Sequence, residues 1–187
     1  NATVKIGNLD GITDLRGQLP GSETYAARPL ADLGPDGPLA YVAVHHTATP
    51  GDLTAYAVAR YHARTLGWPG IGYHFLIQPD GRIAYVGDIL TIRYNVARRN
   101  HQVIGICLAG DFTHAPPPPA QLAAARDVVA NLEYALGWPV PVAGHRDIAL
   151  PAFPTACPGD TWPLWQDVIT GREPGTGDRE PGEQGVN

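Results

Sequence analysis

The sequence predicts an α/β fold, a single mixed central β-sheet with helices packed on its faces. Three observations lead to it. The run Tyr41-Val42-Ala43-Val44-His45-His46-Thr47 is apolar and β-branched, as strands are. Residues 120–136 are alanine-rich and repeat apolar side chains at helical spacing. Between them, two apolar runs are joined by Gln78-Pro79-Asp80-Gly81, a hairpin turn. The order strand, helix, hairpin, strand, helix, strand, helix is that of a layered α/β domain.

Residues 1–40 are broken by glycine and proline, as in Leu33-Gly34-Pro35-Asp36-Gly37-Pro38. They are expected to form an irregular arm packed on the domain, with a helical turn around 27–33. Residues 41–47 form the first strand. Successive side chains on a strand face opposite ways, so His45 and His46 cannot both point into one site. Residues 53–66 read as an amphipathic helix through Leu53, Tyr56, Ala57, Arg60, Tyr61 and Arg64, and Gly67 ends it. The hairpin strands fall at 71–77 and 82–86.

Residues 91–102 are polar and arginine-rich, a loop over one face. Residues 103–110 are almost continuously apolar, which marks a buried strand. Pro116–Pro119 sets up the helix at 120–136, whose stripe is Leu122, Ala125, Val129, Leu132 and Leu136. A short strand at 140–143 leads into His145, and 161–169 is a last helix carrying Trp162 and Trp165. Residues 171–187 are glycine, proline and charge with one aliphatic residue, Val186, and read as a flexible tail or linker. The expected organisation is an arm at 1–40, a catalytic domain at 41–170 and the tail.

The 187 residues are 44% hydrophobic, enough for one globular core. A net charge of −5 offers no basic footprint for nucleic acid. No apolar run approaches the ~18 residues of a membrane span. The chain starts at Asn1 and has no methionine, which reads as a processed or excised protein. Its two cysteines, Cys107 and Cys157, are not needed as a staple at this length.

Chemistry concentrates in Gly144-His145-Arg146-Asp147-Ile148 and Thr155-Ala156-Cys157-Pro158, a segment whose prolines argue against a helix. Histidine and cysteine are zinc ligands, and a catalytic zinc has three protein ligands and an open position. The pool is the seven histidines and Cys157. His45 closes a strand and His145 follows one, and sites in layered α/β sheets gather at strand ends. Cys157 also has plainer readings, a partly buried thiol or a disulfide with Cys107. Cys107 lies between Ile106 and Leu108 as a core residue.

Five pieces stand in register: Val44-His45-His46-Thr47-Ala48, Gly72-Tyr73-His74-Phe75, Ile104-Gly105-Ile106-Cys107-Leu108, Gly144-His145-Arg146-Asp147-Ile148 and Thr155-Ala156-Cys157-Pro158-Gly159. In order and spacing they resemble the zinc N-acetylmuramoyl-L-alanine amidases, a family that includes phage amidase-type lysozymes and the peptidoglycan recognition proteins. The resemblance covers roughly residues 40–165. It implies that His45, His145 and Cys157 hold Zn2+, that Tyr73 is the catalytic tyrosine, and that Thr155 fills a position held by lysine or threonine in catalytic members. It gives His62 a structural role. One departure stands out: where many relatives carry a histidine before the buried strand, this chain has Asn95, which can hydrogen-bond substrate but cannot act as a base at neutral pH.

The implied reaction is hydrolysis of the amide between N-acetylmuramic acid and L-alanine in peptidoglycan, using a zinc-activated water. Tyr73 would donate its phenol proton to the developing oxyanion. Thr155 would orient water or substrate. Asp88 and Asp147 are the candidate general bases, Asp147 having the plainer reading of a turn partner beside a ligand. The alternative is a non-catalytic peptidoglycan-binding module, in which the cysteine ligand is typically replaced. The expected setting is extracellular, cell-wall or periplasmic, as an autolysin, or phage-encoded and released at lysis, as an endolysin. The expected state is a monomer.

Overall fold

Strand alternation sorts the side chains of the sheet onto two faces, and that sorting decides where chemistry can occur. The computed structural model describes residues 11–22, 27–30 and 32–171. Its strands are β1 (Ile12–Asp14), β2 (Tyr41–His46), β3 (Phe75–Ile77), β4 (Ile83–Tyr85), β5 (Val103–Leu108) and β6 (Val142–Gly144). They form one sheet in the order β1-β4-β3-β5-β2-β6. Among the described strands, the β3–β4 hairpin alone is paired antiparallel. The mixed sheet with helices is the predicted fold class.

Val42, Val44, Phe75, Ile77, Ile104, Ile106 and Leu108 share one face and pack with α2 (Pro119–Leu136) and α4 (Trp162–Thr170). The opposite face presents Leu76, Cys107 and Ala109 to α1 (Ala55–Arg60). On that same face Ala43 and Val103 meet Ile148 of α3 (His145–Ile148). The register explains the sorting, since His45 pairs with Cys107 and Leu76 also pairs with Cys107.

Several elements differ from the sequence expectation. The helix expected at 53–66 starts later, because the Thr54 hydroxyl accepts the Ala57 N–H and caps α1. Its second half, Tyr61–Thr65, widens into a π-helical turn. The strand expected at 71–77 shortens to β3. Before it, Gly72 presses against the Tyr94 carbonyl, where an added Cβ would clash. Tyr73 therefore precedes the strand. The last strand falls at Val142–Gly144 rather than 140–143, because Pro139 and Pro141 have no N–H for a ladder. Pro141 still accepts from Val42 N–H at 2.8 Å.

The arm is less irregular than expected. Its β1 is an edge strand parallel to β4. Arg16 secures it, bonding Asp14 and Asp88 with its guanidinium 4.1 Å above the Tyr85 ring. The helical turn expected around 27–33 does not form at 27–30 or 32–33; Pro29 bridges Thr91 instead. The buried stripe of α2 is Gln121, Ala124, Ala125, Val128, Val129 and Leu132, rotated so that Leu122 and Leu136 are only partly covered. Pro119 opens this helix and Gly137, at φ 79°, closes it in the left-handed cap that glycine favours. Residues 1–10 of the arm and 172–187 of the expected tail lie outside the described residues.

Candidate metal centre

β2 delivers His45 and His46 to opposite faces. His45 is 2% exposed and pairs with Cys107 across the ladder. His46 turns to the other face, where its Nδ1 accepts the Phe112 N–H at 3.3 Å. β6 runs parallel to β2 with Val44 opposite Gly144. The next residue, His145, therefore emerges beside His45, with ring centroids 4.7 Å apart.

His145 opens α3, a single helical turn that the prolines did not prevent because they begin only at Pro151. Asp147 Oδ2 accepts from Gly144 N–H at 3.0 Å and from Trp162 Nε1–H at 2.8 Å, tying the turn to α4. Cys157 arrives on the following loop. Its carbonyl accepts the Arg146 N–H at 2.7 Å, and its N–H donates to Thr155 Oγ1 at 3.1 Å. Its Sγ lies 3.6 Å from His45 Nδ1. The ligand atoms of His45, His145 and Cys157 all fall within 4.8 Å of one another. Both cysteines are free, so the disulfide reading is set aside.

The chemistry of this donor set fits a metal cation. Burial holds the His45 imidazole well below its ordinary range, with His145 adding to the effect, and burial also lowers His145. Both rings are therefore neutral and offer lone pairs. Burial pushes the Cys157 thiol up to about 12, against a helping hydrogen bond from the His46 N–H. A thiolate buried there calls for a nearby positive charge, which a metal cation would supply. Two imidazoles and one thiolate match the three-ligand set of a catalytic zinc.

Tyr73 stands against the set, its ring centroid 5.2 Å from that of His45. Burial holds its phenol well above the usual range, and the Cys107 and Cys157 thiols add to the effect. It therefore remains a proton donor. Cys107 is fully buried as expected, yet its thiol is close enough to raise the Tyr73 phenol. His62 accepts the Gly72 N–H on Nδ1 at 2.9 Å, with its ring centroid 4.6 Å from Trp68 and 5.6 Å from Tyr73.

Both candidate general bases carry hydrogen bonds within the fold. Asp147 is engaged by two donors on the same oxygen, and Asp88 bonds Arg16 through one oxygen and the Leu90 N–H through the other. Asn95, expected to face substrate, bonds a ligand candidate: its Oδ1 lies 3.0 Å from His45 Nε2. Sequence offered one faint sign of this contact, the bare Gly105 in an otherwise apolar strand.

Two depressions meet the site. One, about 520 Å³, is lined by Trp68, Tyr94, Asn95, His145, Phe153 and Thr155. The other, about 350 Å³, is lined by Thr47, Leu53, Tyr61, His62 and Tyr73. A larger one, about 640 Å³, lies among Thr13, Asp52, Gln78 and Arg82 and contains none of the candidate residues.

A sequence model of the N-acetylmuramoyl-L-alanine amidase family matches residues 35–160. The chain is 31% identical over 172 residues to the human protein named N-acetylmuramoyl-L-alanine amidase, covering 81% of this chain but only 28% of that protein. It is 34% identical over 149 residues to peptidoglycan recognition protein 1 of Bos indicus, covering 70% of this chain and 76% of that one. Among solved structures, the Ph2119 endolysin from a Thermus scotoductus bacteriophage superposes with a TM-score of 0.66 at 26% identity, covering 84% of this chain and 98% of the other.

Proposed function

Since the chain belongs to the N-acetylmuramoyl-L-alanine amidase family, we propose that it hydrolyses the amide between N-acetylmuramic acid and the L-alanine of the stem peptide, with zinc held by His45, His145 and Cys157. The observation that carries this reading is the convergence of those three side chains. A zinc ion bound there acidifies water and polarises a carbonyl oxygen.

The chain's own residues supply the rest. Tyr73, kept protonated by burial, donates to the carbonyl oxygen as negative charge gathers on it. Thr155 uses its oxygen to accept the Cys157 N–H, which leaves its hydroxyl proton for a substrate or water oxygen beside His145. The two depressions, one reached past His145 and one past Tyr73, suit a bond with a sugar on one side and a peptide on the other. The reaction belongs outside the cytoplasm, at the cell wall or in a phage-driven lysis, with the enzyme acting as a monomer. No helix among the described residues is long and apolar enough to cross a membrane.

The alternative, a peptidoglycan-binding module without hydrolysis, is the weaker reading because Cys157 completes the ligand set. One experiment separates them. Purified protein with measured zinc content is incubated with peptidoglycan, and the products are analysed by mass spectrometry. Stem peptides released with a free L-alanine amine support the amidase, and Cys157→Ala should lose zinc and products together. Binding without released peptide, or full turnover by metal-free Cys157→Ala, would overturn it.

A further inference from the structure

The direction of one hydrogen-bond chain decides which nitrogen of His45 carries the ring proton and which is left bare beside Cys157. The Arg93 carbonyl can only accept, and Asn95 Nδ2 donates to it at 3.1 Å. The amide oxygen of Asn95 is therefore the atom 3.0 Å from His45 Nε2. That oxygen can only accept, so Nε2 carries the ring proton. A neutral imidazole has one such proton, so Nδ1 bears a lone pair, and Nδ1 is the atom 3.6 Å from Cys157 Sγ.

Asn95 is itself fixed from two sides. Its own N–H and that of Val96 both donate to Asn100 Oδ1, each at 2.9 Å. Its side chain lies against bare backbone on β5, where a Cβ on Gly105 would stand 2.9 Å from both its Cγ and its Oδ1. Any residue larger than glycine at 105 would push the amide off His45.

We propose that Asn95, seated on Gly105 and held by Asn100, is a positioning residue that locks His45 as the Nε2–H tautomer and presents its Nδ1 lone pair to the metal. The proposal rests on the reading of His45, His145 and Cys157 as zinc ligands. Asn95 would take the place that a carboxylate or backbone carbonyl takes behind other metal-bound histidines.

The test compares wild type with Asn95→Leu, Asn95→Asp and Gly105→Ala. Three quantities are read: zinc affinity by competition with a chromophoric chelator, the His45 tautomer in metal-free protein by two-bond 15N–1H correlation, and the thermal midpoint. Asn95→Leu should weaken zinc by about 10–100-fold and erase the Nε2–H preference. Asn95→Asp should restore both, since its oxygen accepts the same proton. Gly105→Ala, which alters no ligand, should weaken zinc in the same direction as Asn95→Leu. Zinc bound by Asn95→Leu as tightly as by wild type, or an Nδ1–H tautomer in wild type, would overturn the proposal. So would a lowered midpoint with the tautomer unchanged, which is the signature of a purely structural asparagine. A wild-type protein that takes up no zinc, yet loses the Nε2–H tautomer on Asn95→Leu, would sink the metal reading while supporting the hold on the ring.

Discussion

The backbone N–H of Arg146 donates to the carbonyl oxygen of Cys157 at 2.7 Å. The residue after one candidate ligand is thereby clipped to another, closing the loop that separates them. Closure of this kind fixes the geometry before any ligand arrives, so less ordering remains when one binds. Thr155 tightens the same corner through the Cys157 N–H, and Asp147 ties the His145 turn to Trp162.

Tyr73→Phe should retain zinc and lose roughly 100-fold or more in turnover, the scale of one preorganised oxyanion donor. The ring packing against His45 is preserved in phenylalanine, so the thermal midpoint should hardly move. Turnover equal to wild type, measured on purified muropeptides, would remove Tyr73 from the chemistry.

Thr155→Ser should behave like wild type, because serine keeps the oxygen that accepts the Cys157 N–H. Thr155→Val removes that acceptor and should cost about 10-fold in turnover, the scale of one hydrogen bond at ~1.4 kcal/mol. Equal rates for serine and valine would confine position 155 to packing.

Acid should destabilise the fold through His74. This fully buried ring accepts the Gly105 N–H on Nδ1 and has its Nε2 2.9 Å from the Thr91 carbonyl. Burial lowers its pKa to about 4 from 6.5. The unfolded chain therefore binds the proton first. The contribution is fully present above pH 6.5 and is lost as pH falls toward 4, amounting to about 3 kcal/mol at most. Urea midpoints measured with chelator present should drop between pH 7 and pH 5. Equal midpoints would mean that the folded and unfolded rings take up the proton alike, with no lowering by burial.

Gly144→Ala should be destabilising by ~1–3 kcal/mol. The added Cβ would stand 2.7 Å from Trp162 Nε1, in a rigid indole that cannot retreat without breaking its bond to Asp147. Since Gly144 precedes His145, zinc affinity should fall together with the thermal midpoint. A variant with both unchanged would show that the indole has room to move.

Burial on one face leaves a period of two or of 3.6 in the residues themselves, and from it the strands near 41–47 and 103–110 and the helix near 120–136 were legible in the sequence. The sequence by itself also determined that His45 and His46 part company, since alternation needs no knowledge of neighbours. Its motifs pointed to His45, His145 and Cys157, and to Tyr73, as one set. Other features were decided only by tertiary structure. The edge strand Ile12–Asp14 pairs with Ile83–Tyr85, far along the chain, and three residues carry too little pattern to announce it. Asn95 meets His45 across fifty positions, its amide seated against the bare backbone of Gly105 in the folded sheet. The tie from Asp147 to Trp162 was hidden for the same reason. Periodicity records how each segment meets the core. It does not record which distant segment a polar atom will meet, because that depends on which strands and loops come to lie side by side in the folded sheet.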